Sequence, residues 1–408
     1  MTVTQTSTLS NSLRTQYLND YVRGAMVRRF YDIVASPIDE LSAAAGAAQA
    51  MADLCKTGTI QIAFISDMAV GTTPLSQLQD IAPQILADAS TTVTTDMWGD
   101  GIQTSQKALI QYFTDYSSRS PEKVGKNMMQ LVDFKAMEAG LAGSLVYRYV
   151  QRNQLDAGTT AHRASDSVFA NVAARLSQFN CPGWEGENRP VNWVALTDHF
   201  VLNDIAQGGN VVNVAQYQDG DMVLNNEVGR LHQFKIVASG FAKIFYAAGT
   251  VASTVATSLS SAAARLARTI VLASTTNVTA NSWLNIVHTE ETASTFYPTN
   301  ERVWAASLPG GTSVAIVGGG DNGGLIMAHA SGTSVVDDDS VHTILFGGPS
   351  SLVKVYAPEI GEYGELVGPK QQGLAEQWTS FAWKWYGGYG RVSENWLHRA
   401  EVSVSEEA

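Results

Sequence analysis

The sequence predicts an α+β fold. Three observations carry that expectation. A long amphipathic helical run begins at Ser120, strand-like aromatic alternation fills the last forty residues, and a lysine-free stretch rich in Ala, Ser, Thr and Gly between them reads as short strands.

The helix is framed by its start. Ser120 is a good N-cap, Pro121 suits the first helical position, and Glu122 favours the positive end of the dipole. Val124, Met128, Leu131, Met137, Leu141, Leu145 and Tyr149 then recur near one face, so the run is expected to reach about residue 151. About thirty residues would span roughly 45 Å. Met128, Met129 and Met137 read as core filler rather than as a binding surface.

The C-terminal end is the most specific part. Four of the nine tryptophans (Trp378, Trp383, Trp385 and Trp396) lie between Gly361 and Arg399. Each ring has on the order of 2–3 kcal/mol to gain from burial. Phe381, Trp383 and Trp385 share one strand face, with Ala382 and Lys384 on the other. Gly387, Gly388 and Gly390 are expected to interrupt that strand as a bulge or bend. A second alternation runs Trp396, His398, Ala400, Val402, Val404.

Composition bounds the function. The chain has 408 residues, 45% hydrophobic and only 16% charged, with a formal net charge of −12. That length suits two or three domains. So little charge suggests surface covered by partners rather than by water. The negative balance argues against a free nucleic-acid-binding protein, though not against a shell around DNA. Cys55 and Cys181 make no disulfide framework and fit a reducing cytoplasm. No apolar run reaches the ~18 residues of a membrane span, and no signal peptide opens the sequence.

Along the chain, residues 1–13 are polar. Arg14, Arg23, Arg28 and Arg29, set against Asp20 and Asp32, read as an arm that crosses a neighbour or as a terminal helix on its own domain. Residues 38–56 are Ala-rich and helix-prone. Residues 59–65 and 91–102 have strand character, with a helix-capable piece at 75–89 and a turn at Met97-Trp98-Gly99-Asp100-Gly101. This pair reads as an extended loop on two strands or as a hairpin with an insertion, and Trp98 is a candidate contact. Residues 165–179 form an amphipathic helix with Val168, Val172, Leu176 and Phe179 inward, ended by Cys181-Pro182-Gly183. Short strands follow at 193–196 and 211–214, with a helical turn at 198–205.

Residues 247–343 differ from their flanks, with ten charged residues in 97 and no lysine. A helix is expected at 258–272, then strands at 283–287, 303–306 and 313–317. The segment reads as an insertion.

Catalytic chemistry finds little support. The glycine-rich run 318–324 lacks the Lys-Ser/Thr of a phosphate loop and reads as a hairpin. Asp337-Asp338-Asp339 and Asp219-Gly220-Asp221 read as turns rather than cation sites. His162, His199 and His232 are isolated, with no metal-ligand spacing, and no Gly-x-Ser-x-Gly elbow occurs. No catalytic, metal or cofactor residue is therefore assigned, and no cofactor is expected.

The order of the C-terminal residues resembles the end of tailed-bacteriophage major capsid proteins with the Hong Kong 97 fold, most of all the coat-protein group of the podophage enquatro. Gly368, Pro369, Gln371, Gln372 and Gly373 match a loop. Trp383, Lys384, Trp385 and Tyr386 match a strand, and Arg399, Glu401 and Val402 match a terminal strand. Residues 226–237 are similar to that family's strand-turn-strand, with Gln233 where glycine is usual.

The resemblance implies a division of the chain. Residues 1–57 would be an N-terminal arm and 58–113 the extended loop. Residues 114–160 with 361–408 would form a peripheral domain on a spine helix, and 161–246 with 344–360 an axial domain carrying the insertion 247–343. Arg14, Arg23, Arg28, Arg29 and Trp98 would be inter-subunit contacts, and Trp383, Trp385, Tyr386 and Trp396 the peripheral core. The subunit would self-assemble as hexamers and pentamers around packaged double-stranded DNA, in the host bacterial cytoplasm. A portal and a separate scaffold or decoration protein would be partners, since only about thirteen polar residues precede the arm. No lysine lies within 58–106, so a crosslink from that loop is not expected. The alternatives are an encapsulin-like nanocompartment shell and an enzyme with an unrecognised site.

Overall fold

The computed structural model describes residues 20–22, 29–37, 58–65, 88–105, 107, 116–183, 193–208, 212–213, 227–250, 254–288, 300–320, 322–349, 351–357, 359–372 and 377–407. The expected helices at 38–56 and, for the most part, 75–89 lie outside these residues, as do 1–13 and 219–221. The chain divides into two compact units, Met1–Ala139 with Ser350–Ser393 and Gly140–Pro349 with Glu394–Ala408.

In the first unit the long helix, α1, spans Tyr116–Leu141. It begins before Ser120, so Pro121 lies inside it, and it stops well short of residue 151. Gly140 and Gly143 are poor helix formers, and Val146–Tyr147 joins a sheet instead. Val124, Met128, Met129 and Val132 of α1 are buried with Tyr21, Phe381, Trp383 and Trp385 in one apolar cluster.

The strand Trp378–Arg391 is the spine of this unit's five-stranded sheet. It pairs antiparallel with Asp96–Ser105, Glu365–Gln372 and Leu352–Tyr356. Ala35–Pro37 adds in parallel to Leu352–Tyr356. The expected alternation is present: Trp383 and Trp385 are 3% and 0% exposed. Lys384, on the other face, reaches Glu365 at 2.7 Å.

Two local expectations fail here. The glycines do not interrupt the strand, which continues through them. They admit a close neighbour instead. A Cβ on Gly388 would lie 2.2 Å from the Thr94 carbonyl oxygen, and one on Gly390 2.2 Å from Val93 Cγ2. Met97–Gly101 is likewise not a turn but part of the strand Asp96–Ser105, with Trp98 directly opposite Trp385. Thr59–Ile65 matches its expected strand and pairs with Asp88–Thr94 as a two-stranded ribbon, so residues 88 and 89 are strand rather than helix.

The second unit is built on an eight-stranded sheet. Its inner strands, Leu397–Val402, Val341–Gly347, Trp193–Thr197 and Phe234–Ala238, are buried at every position. Both faces are therefore covered, and the polar groups these strands carry, among them Lys235, His342, Arg399 and Glu401, are buried with them. α2 (Asp166–Gln178) packs on this sheet through Val168, Phe169, Val172 and Leu176. Phe179, expected inward, is 39% exposed because it lies just past the helix end. α3 (His199–Gln207) is capped by Asp198, whose side chain accepts the Val201 N–H at 2.7 Å. In the hairpin Glu227–Leu231 to Phe234–Ala238, the turn residue His232 takes a left-handed φ of 51°.

The terminal strand Leu397–Val402 belongs to this sheet, paired with Val341–Gly347 and Val146–Tyr147. The terminal strand thus lies in the second unit, whereas Trp378–Arg391 lies in the first. Trp396 accordingly packs on the core of the second unit, not with Trp383 and Trp385.

Within this unit the described residues of 254–336 build a second sheet with its own apolar core. Six strands run in the order Ala256–Ser258, Ser334–Val336, Ser282–Val287, Glu301–Gly310, Ser313–Val317, Thr269–Val271. The two outermost then meet: Ser260 N–H donates to Val271 O and Ala273 N–H to Ser258 O, both at 2.8 Å. The sheet thus closes into a small barrel with no free edge. Leu259, Ile270, Leu272, Leu284, Ile286, Val303, Val314, Ile316 and Val335 fill it. The helix expected at 258–272 does not form, because its two ends lie where the closing strands Ala256–Ser258 and Thr269–Val271 meet. Gly249 N–H donates to Asp339 O at 3.0 Å, so the chain enters and leaves the barrel at one place.

Candidate assembly elements and buried charge clusters

The first unit contains a charged cluster that the sequence did not reveal. Asp32 is 0% exposed and Lys354 2%. Lys354 Nζ lies 3.0 Å from Asp32 Oδ1, and Arg29 Nε lies 2.9 Å from Oδ2. The Tyr389 hydroxyl donates to Asp32 Oδ1 at 2.5 Å. Burial alone would raise the Asp32 carboxyl, but Lys354 and Arg29 pull it below the ordinary range. Burial drives the Tyr389 hydroxyl well above its ordinary value, and the adjacent Asp32 charge adds to this.

Asp133 of α1 sits at the same place. Its Oδ1 accepts the Phe30 N–H at 2.9 Å and the Asp32 N–H at 3.1 Å. Burial raises its carboxyl to about 7, against those N–H groups and with help from the Asp32 charge. Residues 29–37 are therefore fastened to α1 and to two strands by buried polar contacts.

The second unit holds a matching cluster. Glu401, 0% exposed, receives Arg148 Nε at 2.6 Å and Arg152 Nη2 at 2.5 Å, with Arg399 Nε at 3.0 Å. Arg399 also donates to the Leu141 carbonyl. Burial opposes ionisation, yet the arginines bring the Glu401 carboxyl down to about 2. Two buried His–carboxylate pairs occur as well, His329 with Glu301 at 2.6 Å in the barrel and His342 with Asp198 at the α3 cap.

The predicted contact residues fare unevenly. Arg14, Arg23 and Arg28 lie outside the described residues. Arg29 is paired with Asp32 of its own segment. Trp98 is half-buried against the first unit's core, with Lys135 Nζ 4.5 Å from its ring centre, so its ring is engaged within the chain. Trp383 and Trp385 are core, and Trp383 Nε1 donates to Asn127 Oδ1 at 2.8 Å. Tyr386 faces a different cluster, formed by Ile60, Val93, Val353 and Val355.

The acidic and glycine-rich runs serve backbone structure. Asp337 accepts Thr254 Oγ1 at 2.5 Å and Val255 N–H at 3.0 Å. Gly318 and Gly320 N–H groups bond to Gly323 and Gly324 carbonyls at 2.9 Å. Among the described residues, no group of three or more His, Cys, Asp or Glu is placed to hold a metal ion. None of their helices is long and apolar enough to cross a membrane.

No family model matches the sequence, and no curated protein resembles it in sequence. Solved structures do resemble it in fold. The capsid of Ralstonia phage GP4 superposes with a TM-score of 0.52 at 10% identity, covering 85% of this chain and 84% of that one. Structures from Mycobacterium phage Che8 (TM-score 0.46, 9% identity, 91% of each chain) and the cyanophage Pam1 capsid (0.47, 9%, 91% and 89%) are similar more loosely. The chain thus has the α+β fold of a phage capsid protein.

Proposed function

We propose that this chain is the major capsid protein of a tailed bacteriophage, a non-catalytic subunit of the icosahedral shell around packaged double-stranded DNA. The observation that carries the reading is the fold shared with the GP4 capsid over most of both chains. The C-terminal residue order supports it independently, and so does the low charge, which suits a subunit whose surface is largely covered by copies of itself. Hexamers and pentamers of one chain would place the same contacts in slightly different settings. The first unit, with α1 and the long strand, would be the peripheral domain, and the eight-stranded sheet the axial domain. The barrel would be an added body, and residues 58–113 the extended loop. A separate scaffold protein, or the portal complex, would control curvature. A virion is its expected location, reached after assembly in the host cytoplasm.

The test is expression of the chain alone and with candidate scaffold proteins, followed by sedimentation. Closed or aberrant particles of megadalton size are expected. A chain that stays monomeric under every such condition would overturn the reading.

A further inference from the structure

The cluster around Asp133 has a property that goes beyond shell building and does not depend on it. We propose that residues 29–37 form a proton-sensitive latch on α1, tight while Asp133 is protonated and loosened when it ionises.

The geometry supports this from several sides. Asp133 Oδ1 takes two backbone N–H groups of the segment, from Phe30 and Asp32, which tie it to α1. The side chain is buried, at 5% exposure, beside the fully buried Asp32. The charged and titratable groups gathered there are Arg29 and Asp32 of the segment, Lys354 and Tyr389 of the two strands, and Glu362 and Tyr363 of the connecting loop. Lys354 and Arg29 are both engaged by Asp32, at 3.0 and 2.9 Å, and the Tyr389 hydroxyl donates to Asp32 as well. The compensating groups are therefore aimed at Asp32. A second negative charge on Asp133 would be buried beside the first.

The direction of the pH effect follows. The closed segment holds the Asp133 carboxyl at about 7. Release wets it and returns it to about 4, its ordinary value. Opening then gives up a proton to solvent wherever pH lies between those values. The opening equilibrium should rise by up to tenfold per pH unit from about 4 to about 7 and level off above. The segment is held more firmly in mild acid than at neutrality.

Hydrogen exchange of the dissociated full-length subunit reads this directly, in peptides spanning residues 29–37 and corrected for intrinsic rates. Opening should increase roughly fiftyfold between pH 5 and pH 7, and only about twofold from pH 7 to pH 8. Asp133→Asn keeps an oxygen that accepts both N–H groups but cannot ionise, so its opening should be flat over the same range. Tyr389→Phe, which removes the hydroxyl dipole that screens the Asp32 charge and so exposes Asp133 to more of it, should move the window to higher pH and serves if the Asn variant does not fold. A flat wild-type profile overturns the latch, as does an Asn variant with the wild-type slope or a Phe variant with an unmoved window. Because the subunit is read in dissociated form, failure of the latch and failure of the shell reading remain separate outcomes.

Discussion

Replacing Trp385 by alanine tests the packing of the first unit most sharply. The ring is 0% exposed and lies in the cluster with Val124, Met128, Met129 and Val132 of α1. Truncating a buried Trp to Ala costs about 3–5 kcal/mol, since the space it leaves closes only in part. A buried Trp also covers roughly 200 Å², which at 25 cal/mol per Å² gives a similar figure, about 5 kcal/mol. The indole N–H adds a second arm to the test. Trp385 Nε1 is buried and has no hydrogen-bond partner among the described residues. An orphaned donor costs about 1–3 kcal/mol. Trp385→Phe removes it while keeping most of the ring, so its net cost should be within about 1 kcal/mol. Trp383→Phe should cost about 1 kcal/mol more than that, because it loses a real bond to Asn127. The assay is urea unfolding of the dissociated subunit, followed by hydrogen exchange in α1 peptides so that the second unit, with its own core, does not mask the change. An alanine variant with the wild-type midpoint would refute the packing argument, and so would a phenylalanine variant as damaging as alanine.

Other expectations follow from the same geometry. Glu401→Gln should destabilise the second unit by about 3–5 kcal/mol, because three arginines keep their charge without their acceptor; calorimetry reads it. The Glu401 carboxyl lies at about 2, below its unfolded value of about 4.3, so its contribution of about 3 kcal/mol is present above that unfolded value and is lost as pH falls toward 2. An acid titration should show this loss in the wild type and not in the Gln variant. Gly388→Ala should lower the urea midpoint of the first unit by more than Ala382→Gly does, since its Cβ would meet the Thr94 carbonyl oxygen. A fragment of residues 249–340 should fold alone into the barrel, with dispersed amide resonances; a fragment with random-coil shifts would show that the closed sheet depends on the rest of the unit.

Much of this fold was legible because local pattern and tertiary setting agree. The strands Thr59–Ile65 and Ser313–Val317 match their expected limits, and the Phe381, Trp383, Trp385 face is buried as its alternation requires. The failures have physical causes. α1 was overextended because Leu145 and Tyr149 continue its spacing past two glycines. Residues 258–272 have helical composition, yet Leu259, Ile270 and Leu272 are buried as barrel staves, so closure of the sheet overrides propensity. The glycines near residue 388 signal a close neighbour, which looks the same in sequence as a bend. The buried charges were out of reach: Asp32 and Tyr389 are 357 positions apart, and no local pattern links them. In Arg399, Glu401 and Val402 the matching motif was visible, but the sheet they join was not.

The central claim is that this chain builds a shell, and electron cryo-microscopy of the assembled protein tests it most directly. The account predicts closed or partly closed particles whose five- and six-fold clusters hold subunits with α1, the long aromatic strand and a separate small barrel. Particles whose repeating unit lacks this fold, or a preparation that contains only discrete single subunits under all assembly conditions, would contradict it.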